Sequence, residues 1–268
     1  MPTLEEYAGL PVDLAGARIA FRDQLPAVEP AVRRREEMRE VLADPLGSGP
    51  DELYYMYRGV GYAADREALT ARGLRYDITV LRPGTVGTEY IKTAGHYHSP
   101  VPGGGPPGWP AKTEFTYPEL YEVLHGVAHY LLQRVNQAQD LAEDVILVEA
   151  RPGDRLLVPP GYGHITINPG SEPLVMCNLV EATFRSVYDP IVRMKGGAYY
   201  EVLEGGRPIF VSNETYRDVA ELRSQAPTSP EVLGVPDDTP LYRLAVADPG
   251  RFAYLVHPRE FRGEWIAG

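Results

Sequence analysis

Short apolar runs separated by glycine- and proline-rich turns fill the middle of the sequence. Aromatic and aliphatic residues dominate these runs, and aromatic and β-branched residues favour strands. The runs lie at 53–57, 77–81, 120–125, 127–132, 145–150, 155–158 and 165–167. Short strands at such regular spacing predict a mainly β fold, in the form of an antiparallel barrel or jelly roll.

The overall composition limits the possible partners. The 268 residues are 44% hydrophobic and 24% charged, which is ordinary for a globular protein with a sizeable core. A net charge of −11 argues against nucleic acid and against anionic membranes as partners. No apolar run approaches the ~18 residues that span a bilayer, and the acidic start of the chain lacks the features of a signal peptide. We therefore expect a soluble, cytoplasmic protein whose single cysteine, Cys177, is a buried structural thiol.

The distribution of these signals divides the chain into three regions. Residues 1–50 are predicted to form an N-terminal arm and a helix, residues 51–195 the barrel, and residues 196–268 a C-terminal extension packed on the barrel. Between two of the runs, residues 99–118 form a long proline- and glycine-rich loop, which is typical of a lid or an oligomer contact.

Local patterns predict the elements outside the barrel. Strong helix formers after Pro30 predict a helix over 31–42. The arginine run at 33–35 is balanced by nearby glutamates, which favours a solvated helix face over an anion-binding site. In the extension, 213–222 is predicted to be a capped helix, and 242–256 is predicted to contain an exposed hairpin of two short strands.

Two histidines one residue apart, His96 and His98, form the first candidate metal-binding group. In a strand they share one face, so both imidazoles can bind the same ion. An isolated pair is more often a surface feature, and the remaining ligands must come from elsewhere in the chain. Glu119 and His164 are the candidates, with Glu114 as an alternative to Glu119.

Turn residues at specific intervals surround His164. Gly153, Pro159 and Gly161 precede it at a spacing that closes one strand and opens the next, so that His164 begins the returning strand at the barrel mouth. Three imidazoles and one carboxylate suit one divalent first-row metal ion with one or two open positions. The ligand set does not distinguish iron, manganese, zinc, nickel and cobalt.

The blocks around His96 and His164 resemble the two conserved motifs of the cupin superfamily. A narrower resemblance, over about residues 75 to 190, is to the cupin-type glucose-6-phosphate isomerases of archaea and some bacteria. It rests on the segments 92–98 (KTAGHYH), 119–121 (ELY) and 158–164 (VPPGYGH). The resemblance implies a cupin jelly-roll β-barrel and a metal-dependent homodimer that interconverts glucose 6-phosphate and fructose 6-phosphate.

The resemblance also implies roles for individual residues. The family's phosphate-binding and substrate-contacting positions correspond to Thr79, Thr93, Gly95, Tyr121 and Tyr188. Glu119, the only carboxylate in the ligand set, is the candidate proton shuttle, and Tyr121 either hydrogen-bonds a sugar hydroxyl or fills the interior of the barrel. Lys92 or Arg82 is a candidate for a positive charge near the phosphate.

Two other functions fit the same ligand set. One is an iron(II)-dependent cupin of the dioxygenase type, and the other is a sugar-binding cupin without catalysis. The block formed by Thr93 and Gly95 argues against the first, and an open ligand set argues against the second. The chain also departs from the isomerase pattern, because Val180 and Ser186 stand where the family carries a further tyrosine and a histidine.

Overall fold

The computed structural model of the protein describes residues 3–105, 114–236 and 238–261. Its strands are β1 (Val12–Ala15), β2 (Arg18–Phe21), β3 (Ala31–Arg34), β4 (Glu52–Tyr57), β5 (Leu74–Leu81), β6 (Thr85–Val86), β7 (Glu89–Tyr90), β8 (Tyr97–His98), β9 (Glu119–His125), β10 (Ala128–Val135), β11 (Leu141–Ala150), β12 (Arg155–Val158), β13 (Gly163–Ile167), β14 (Leu174–Glu181), β15 (Ser186–Val187), β16 (Tyr199–Glu204), β17 (Arg207–Ser212), β18 (Asp218–Val219) and β19 (Leu222–Gln225). Its helices are α1 (Leu4–Ala8), α2 (Arg35–Met38), α3 (Ala63–Ala71), α4 (Asp189–Arg193), α5 (Pro230–Leu233), α6 (Leu241–Ala247) and α7 (Ala253–Val256), with 3-10 helices at Arg39–Val41, Pro249–Phe252 and Pro258–Glu260. The mainly β prediction is confirmed, and no helix in these ranges is both long and apolar enough to cross a membrane.

Two mainly antiparallel sheets form the body of the fold. The strands of the first sheet lie in the order β12-β9-β14-β5-β4-β3, and those of the second in the order β13-β10-β11, with β18 and β19 joined to β11. The segment 92–96 extends the second sheet, because Lys92 bridges to Ile167 and His96 bridges to His164. From β5 onward the chain passes back and forth between the sheets, which is the jelly-roll arrangement that the sequence predicts.

Both faces of the first sheet are buried. The inner face carries Leu81 and Val123, which belong to the same core as Tyr130 of the second sheet. The outer face carries Tyr76 and Cys177, which belong to a separate core that also includes side chains of α1, α6 and α7. Because both sides are covered, nearly every residue of β5, β9 and β14 is buried, including the polar ones.

The helix predicted over 31–42 is wrong for its first four residues. These residues form β3, which pairs with β4 at the edge of the first sheet and places Arg33 opposite Tyr54. Only α2 and the 3-10 helix that follows it are helical. Pairing with β4 satisfies backbone N–H and C=O groups at the edge of the sheet. This gain outweighs the intrinsic preference of these residues for a helix, because ordinary residues differ in helix propensity by under ~0.7 kcal/mol.

Both elements predicted in the C-terminal extension are also wrong. Asn213 forms a turn rather than a helix cap, because its side-chain oxygen accepts from Thr215 N at 3.0 Å while its side-chain nitrogen donates to Met194 O at 2.7 Å. The predicted hairpin at 242–256 is helical, in α6 and α7. Five residues that alternate between apolar and polar fit both the two-residue period of a strand and the 3.6-residue period of a helix. The helix buries Leu241, Tyr242 and Ala245 together.

The long loop at 99–118 begins and ends as an antiparallel pair. Pro100 bridges to Thr116, and Val101 N donates to Phe115 O at 2.8 Å. Residues 106–113 lie outside the described ranges, so the expected role of this loop as a lid or an oligomer contact stays a prediction.

Candidate metal centre and cavity

The four predicted metal ligands meet at one end of the jelly roll. His96 and His164 lie opposite each other and exchange backbone hydrogen bonds, with N to O distances of 3.2 and 3.0 Å. His98 lies in β8, and Glu119 is the first residue of β9 in the other sheet. One ligand atom from each of the four side chains lies within 4.8 Å of those of the others. The sequence therefore identified a group of residues that folding brings together.

The donor atoms of this cluster fit a cation. Nε2 of His96, Nε2 of His98 and Oε2 of Glu119 are buried without a hydrogen-bond partner among the described residues. The Nε2 atoms of His98 and His164 lie 3.1 and 3.2 Å from that same oxygen. Buried polar atoms without partners are costly, by ~1–3 kcal/mol each. A divalent first-row ion coordinated by these nitrogen and oxygen atoms would satisfy them, so the residues present fit such an ion.

Two further contacts hold the ligands in place. The carbonyl of Tyr117 lies 2.8 Å from Nδ1 of His98, which puts the proton of a neutral ring on Nδ1 and leaves Nε2 free to coordinate. Asn178 donates to Oε1 of Glu119 at 2.7 Å. Asn178 was not among the residues predicted for the site, although it is a single polar residue in the apolar run 174–180, a signal that could have identified it.

Electrostatics favour the ligating protonation states. Burial lowers the pKa of His96 well below its ordinary value, and the imidazoles of His164 and His98 lower it further. Burial also lowers the pKa of His164. Burial on its own would raise the pKa of Glu119, but the imidazoles of His164 and His98 beside its Oε2 hold that pKa well below the usual range. Metal coordination needs neutral imidazoles and an ionised carboxylate, and these shifts favour both.

A cavity opens beside the cluster, and side chains from four neighbouring strands line it. Alternate residues of β4, β5, β14 and β9 point into it, because successive side chains of a strand face opposite sides. All five predicted phosphate- and substrate-contacting residues lie in its lining: Thr79, Thr93, Gly95, Tyr121 and Tyr188. The lining also includes residues that were not predicted to belong to the site, among them Tyr54, Arg58, Asp77, Asn178 and Phe184.

Gly95 and Tyr121 are both closely fitted. Gly95 has φ of 75°, and a Cβ at this position would lie 2.5 Å from Cγ1 of Ile165, so only glycine fits without a shift. The hydroxyl of Tyr121 lies 3.2 Å from Nε2 of His164. Burial raises the pKa of Tyr121 well above its ordinary value, which keeps the phenol neutral.

The two basic residues considered for a phosphate contact lie elsewhere. Neither Lys92 nor Arg82 is part of the described cavity lining. Lys92 is buried, with its Nζ 2.6 Å from Oε1 of Glu89 and 2.7 Å from the carbonyl of Val41. Its charge is therefore already paired within the protein. Glu114, the alternative to Glu119, is exposed and outside the cluster.

Comparisons with known proteins agree with this geometry. A family model described as Glucose-6-phosphate isomerase (GPI) matches residues 29–218. The glucose-6-phosphate isomerase of Thermococcus litoralis is 31% identical over 193 residues, which are 70% of this chain and 87% of that protein. The glucose-6-phosphate isomerase of Pyrococcus horikoshii is 29% identical over 219 residues, which are 80% of this chain and 99% of that protein. A solved oxalate oxidase has a TM-score of 0.33 and 14% identity over 54% of this chain and 53% of its own, a likeness too remote to bear on the site. With a family match over most of its length, this chain belongs to the glucose-6-phosphate isomerase family.

Proposed function

We propose that this protein is a metal-dependent aldose–ketose isomerase that interconverts glucose 6-phosphate and fructose 6-phosphate. One observation carries the proposal: the cluster of His96, His98, Glu119 and His164 opens onto a cavity that also contains the family's phosphate- and substrate-contacting positions. Membership of the family supplies the substrate.

The reaction moves a proton between C1 and C2 of the open-chain sugar through a cis-enediol. Negative charge develops on O1 and O2 during this transfer. A divalent ion held by the four ligands would act as a Lewis acid toward these oxygens. The remaining tasks, which are proton transfer and substrate positioning, belong to side chains of the cavity.

Glu119 is the better placed of the two carboxylates that line the described cavity. The other, Asp77, is held by two nitrogens of Arg75 at 2.8–2.9 Å and also accepts from Gly59 N at 2.8 Å. Glu119 is held by Asn178 on Oε1 only, and its Oε2 has no hydrogen-bond partner among the described residues. An ionised carboxylate whose second oxygen is held by no described protein donor can loosen from a bound ion, take the proton from one carbon and return it to the next. We therefore assign the proton shuttle to Glu119.

The remaining residues of the cavity suit sugar and phosphate binding. Tyr121 and Tyr188 present phenol groups to the cavity, and the neutral phenol of Tyr121 can donate to a sugar hydroxyl. Thr93 accepts from Thr166 N at 2.9 Å through its hydroxyl oxygen, which leaves the hydroxyl proton available for an anion. With Thr79 and the close-fitting Gly95 nearby, we assign phosphate binding to this side of the cavity.

The decisive experiment is reconstitution. Protein stripped of metal by a chelator is supplied separately with Mn²⁺, Fe²⁺, Ni²⁺, Co²⁺ or Zn²⁺, and glucose 6-phosphate formation from fructose 6-phosphate is measured. We expect no turnover without metal and turnover with at least one ion. Absence of turnover with all five would refute the proposal, and oxygen uptake with a small organic acid would favour the dioxygenase-type alternative. The homodimer stays a prediction that sedimentation would test.

A further inference from the structure

A phosphorylated sugar brings a double negative charge into a protein whose own net charge is −11. Thr79, Thr93 and Gly95 are neutral, so they supply hydrogen bonds but no charge to balance the phosphate. Charge-assisted hydrogen bonds are roughly twice as strong as neutral ones, and an anion that is removed from water needs such a partner. The three predicted phosphate contacts therefore include no cation.

Arg58 in the cavity lining and two further basic side chains, Lys92 and Arg75, are already paired with carboxylates. Lys92 is paired with Glu89 at 2.6 Å. Arg75 holds Asp77, and Arg58 lies 3.6 Å from the same carboxylate. None of these three is free to balance a phosphate without competing with an internal ion pair.

Arg33 lies in β3, which replaces the first part of the predicted helix. The two arginines that follow it in the chain are paired with carboxylates. Arg34 pairs with Glu52 at 3.1 Å, and Arg35 pairs with Asp51 at 3.0 Å. Among the described residues, Arg33 has no carboxylate oxygen within 4 Å. Its Nε is buried and has no hydrogen-bond partner there. Arg33 is therefore a partly buried cation that forms no ion pair with a carboxylate in the described part of the protein, and its guanidinium is hydrogen-bonded to Tyr54.

The surroundings of Arg33 connect it to the phosphate end of the cavity. Its Cζ lies 5.7 Å from the ring centre of Tyr188, and its guanidinium interacts with Tyr54. Both tyrosines line the cavity. The hydroxyl of Tyr54 accepts from Ala94 N at 3.2 Å, and Ala94 lies between Thr93 and Gly95 in the chain.

We propose that Arg33 is the cation that balances the substrate's phosphate and thereby sets a preference for phosphorylated over free sugars. The inference rests on the proposed function for the identity of the substrate, but not for the presence of an anion site. An arginine suits this role because its guanidinium is always charged and can donate to two phosphate oxygens at once. The tyrosine ring beside it holds the guanidinium in place.

The test compares Arg33→Met with Arg34→Met, which makes the same change at the adjacent, surface-paired arginine. On metal-loaded protein, inorganic phosphate binding is measured by titration calorimetry, and kcat/KM is measured with fructose 6-phosphate and with free fructose. We expect Arg33→Met to weaken phosphate binding and to lower kcat/KM for fructose 6-phosphate by at least about tenfold. Turnover of free fructose should stay within about twofold, as should every property of Arg34→Met. Arg33→Lys should fall between Arg33→Met and the wild type.

Three results would overturn the inference. The first is an unchanged phosphate Kd in Arg33→Met, and the second is an equal loss in Arg34→Met. The third is an equal loss for both sugars, which would mark a positioning effect through Tyr188. Arg33→Gln replaces Arg33→Met if the latter does not fold. Phosphate binding is measured without turnover, so a wild type that binds phosphate through Arg33 but does not isomerise the sugar would refute only the proposed function.

Discussion

Strand β9 carries two buried glutamates whose side chains lie in different surroundings. Glu119 and Glu122 are only 2% and 3% exposed, and because they are three residues apart they face opposite sides of the same sheet. Glu119 faces the cavity and the imidazoles of His98 and His164. Glu122 faces the outer core, where it accepts from Arg155 at 2.9 Å and from Leu241 N at 2.8 Å.

The difference lies in how completely each carboxylate is satisfied. Oε2 of Glu119 and the nearby Nε2 of His98 lack hydrogen-bond partners among the described residues. Glu122 is satisfied on both oxygens, and Arg155 also donates to the carbonyls of Pro236 and Thr239. Glu122 thus attaches the C-terminal segment to the barrel. The two positions have the same residue type and nearly the same burial. The oxygen without a hydrogen-bond partner is what distinguishes the candidate metal ligand Glu119 from the structural residue Glu122.

The largest expected effect is a loss of activity when Glu119 is replaced. Glu119→Gln removes the proposed proton shuttle and a charged ligand, and we expect kcat to fall by about 10²- to 10⁴-fold. The amide can still accept from Asn178, so the free energy of unfolding without metal should change less than in Glu122→Gln. Activity assays and urea titrations measure the two quantities. Glu114→Gln is the matched control, and activity lost there but kept in Glu119→Gln would reverse the ligand assignment.

The second effect concerns stability alone. Glu122→Gln leaves Arg155 buried beside an uncharged partner, and loss of one partner of a buried ion pair costs about 3–5 kcal/mol. We expect urea titration to show this loss, whereas metal content and KM of the folded fraction stay unchanged.

The double variant Glu122→Met with Arg155→Met sharpens this result, because no charge then stays unpaired. Its stability should lie above that of Glu122→Gln. A double variant that is less stable than Glu122→Gln would show that the ion pair itself, rather than the unpaired charge, carries the stability.

The smallest expected effect is on stability, at Asp144. This residue forms a second attachment of the C-terminal segment to the barrel. This carboxylate accepts from Arg223 in β19 at 2.9 and 3.0 Å and from the hydroxyl of Tyr162 at 2.5 Å. The hydrogen bonds from Arg223 lower the pKa of Asp144, and the one from Tyr162 lowers it further. A lowered carboxyl pKa contributes stability that is present above the unfolded value of ~3.9 and is lost as pH falls through the folded value.

We therefore expect Asp144→Asn to lose about 1 kcal/mol at pH 7. The difference from the wild type should shrink as the pH falls below ~4. Urea titrations at neutral and acidic pH measure it, and a difference that grows toward acidic pH would contradict the assigned direction.

Two features were predicted correctly from patterns that are local in the sequence. The barrel strands follow from short apolar runs between turns, and the ligand cluster follows from histidines at strand spacing and from the turn residues before His164. In both cases the residues that carry the information lie within a few positions of the feature. The jelly roll then brings the two blocks together through the pairing of His96 with His164.

Features that depend on distant partners were not predicted. Residues 31–34 are extended because the edge of β4 is available, and no local pattern shows that edge. The same misassignment hid Arg33, which a helix would have placed among solvated arginines. α6 was missed because its apolar positions fit a strand equally well over five residues, and only its packing near Tyr76 selects the helix.

The position of the ligands on both sheets has a consequence for unfolding. Glu119 belongs to β9 of the first sheet, whereas His164 belongs to β13 of the second. A metal ion bound between them would act as a cross-link, because the two sheets could not separate without losing it. Because folding brings the four candidate ligands together, such an ion would bind the native state in preference to the unfolded chain. The free energy of unfolding should therefore increase by ~1.4 kcal/mol for each tenfold increase in free metal concentration above the dissociation constant. The midpoint temperature of thermal unfolding should rise with it.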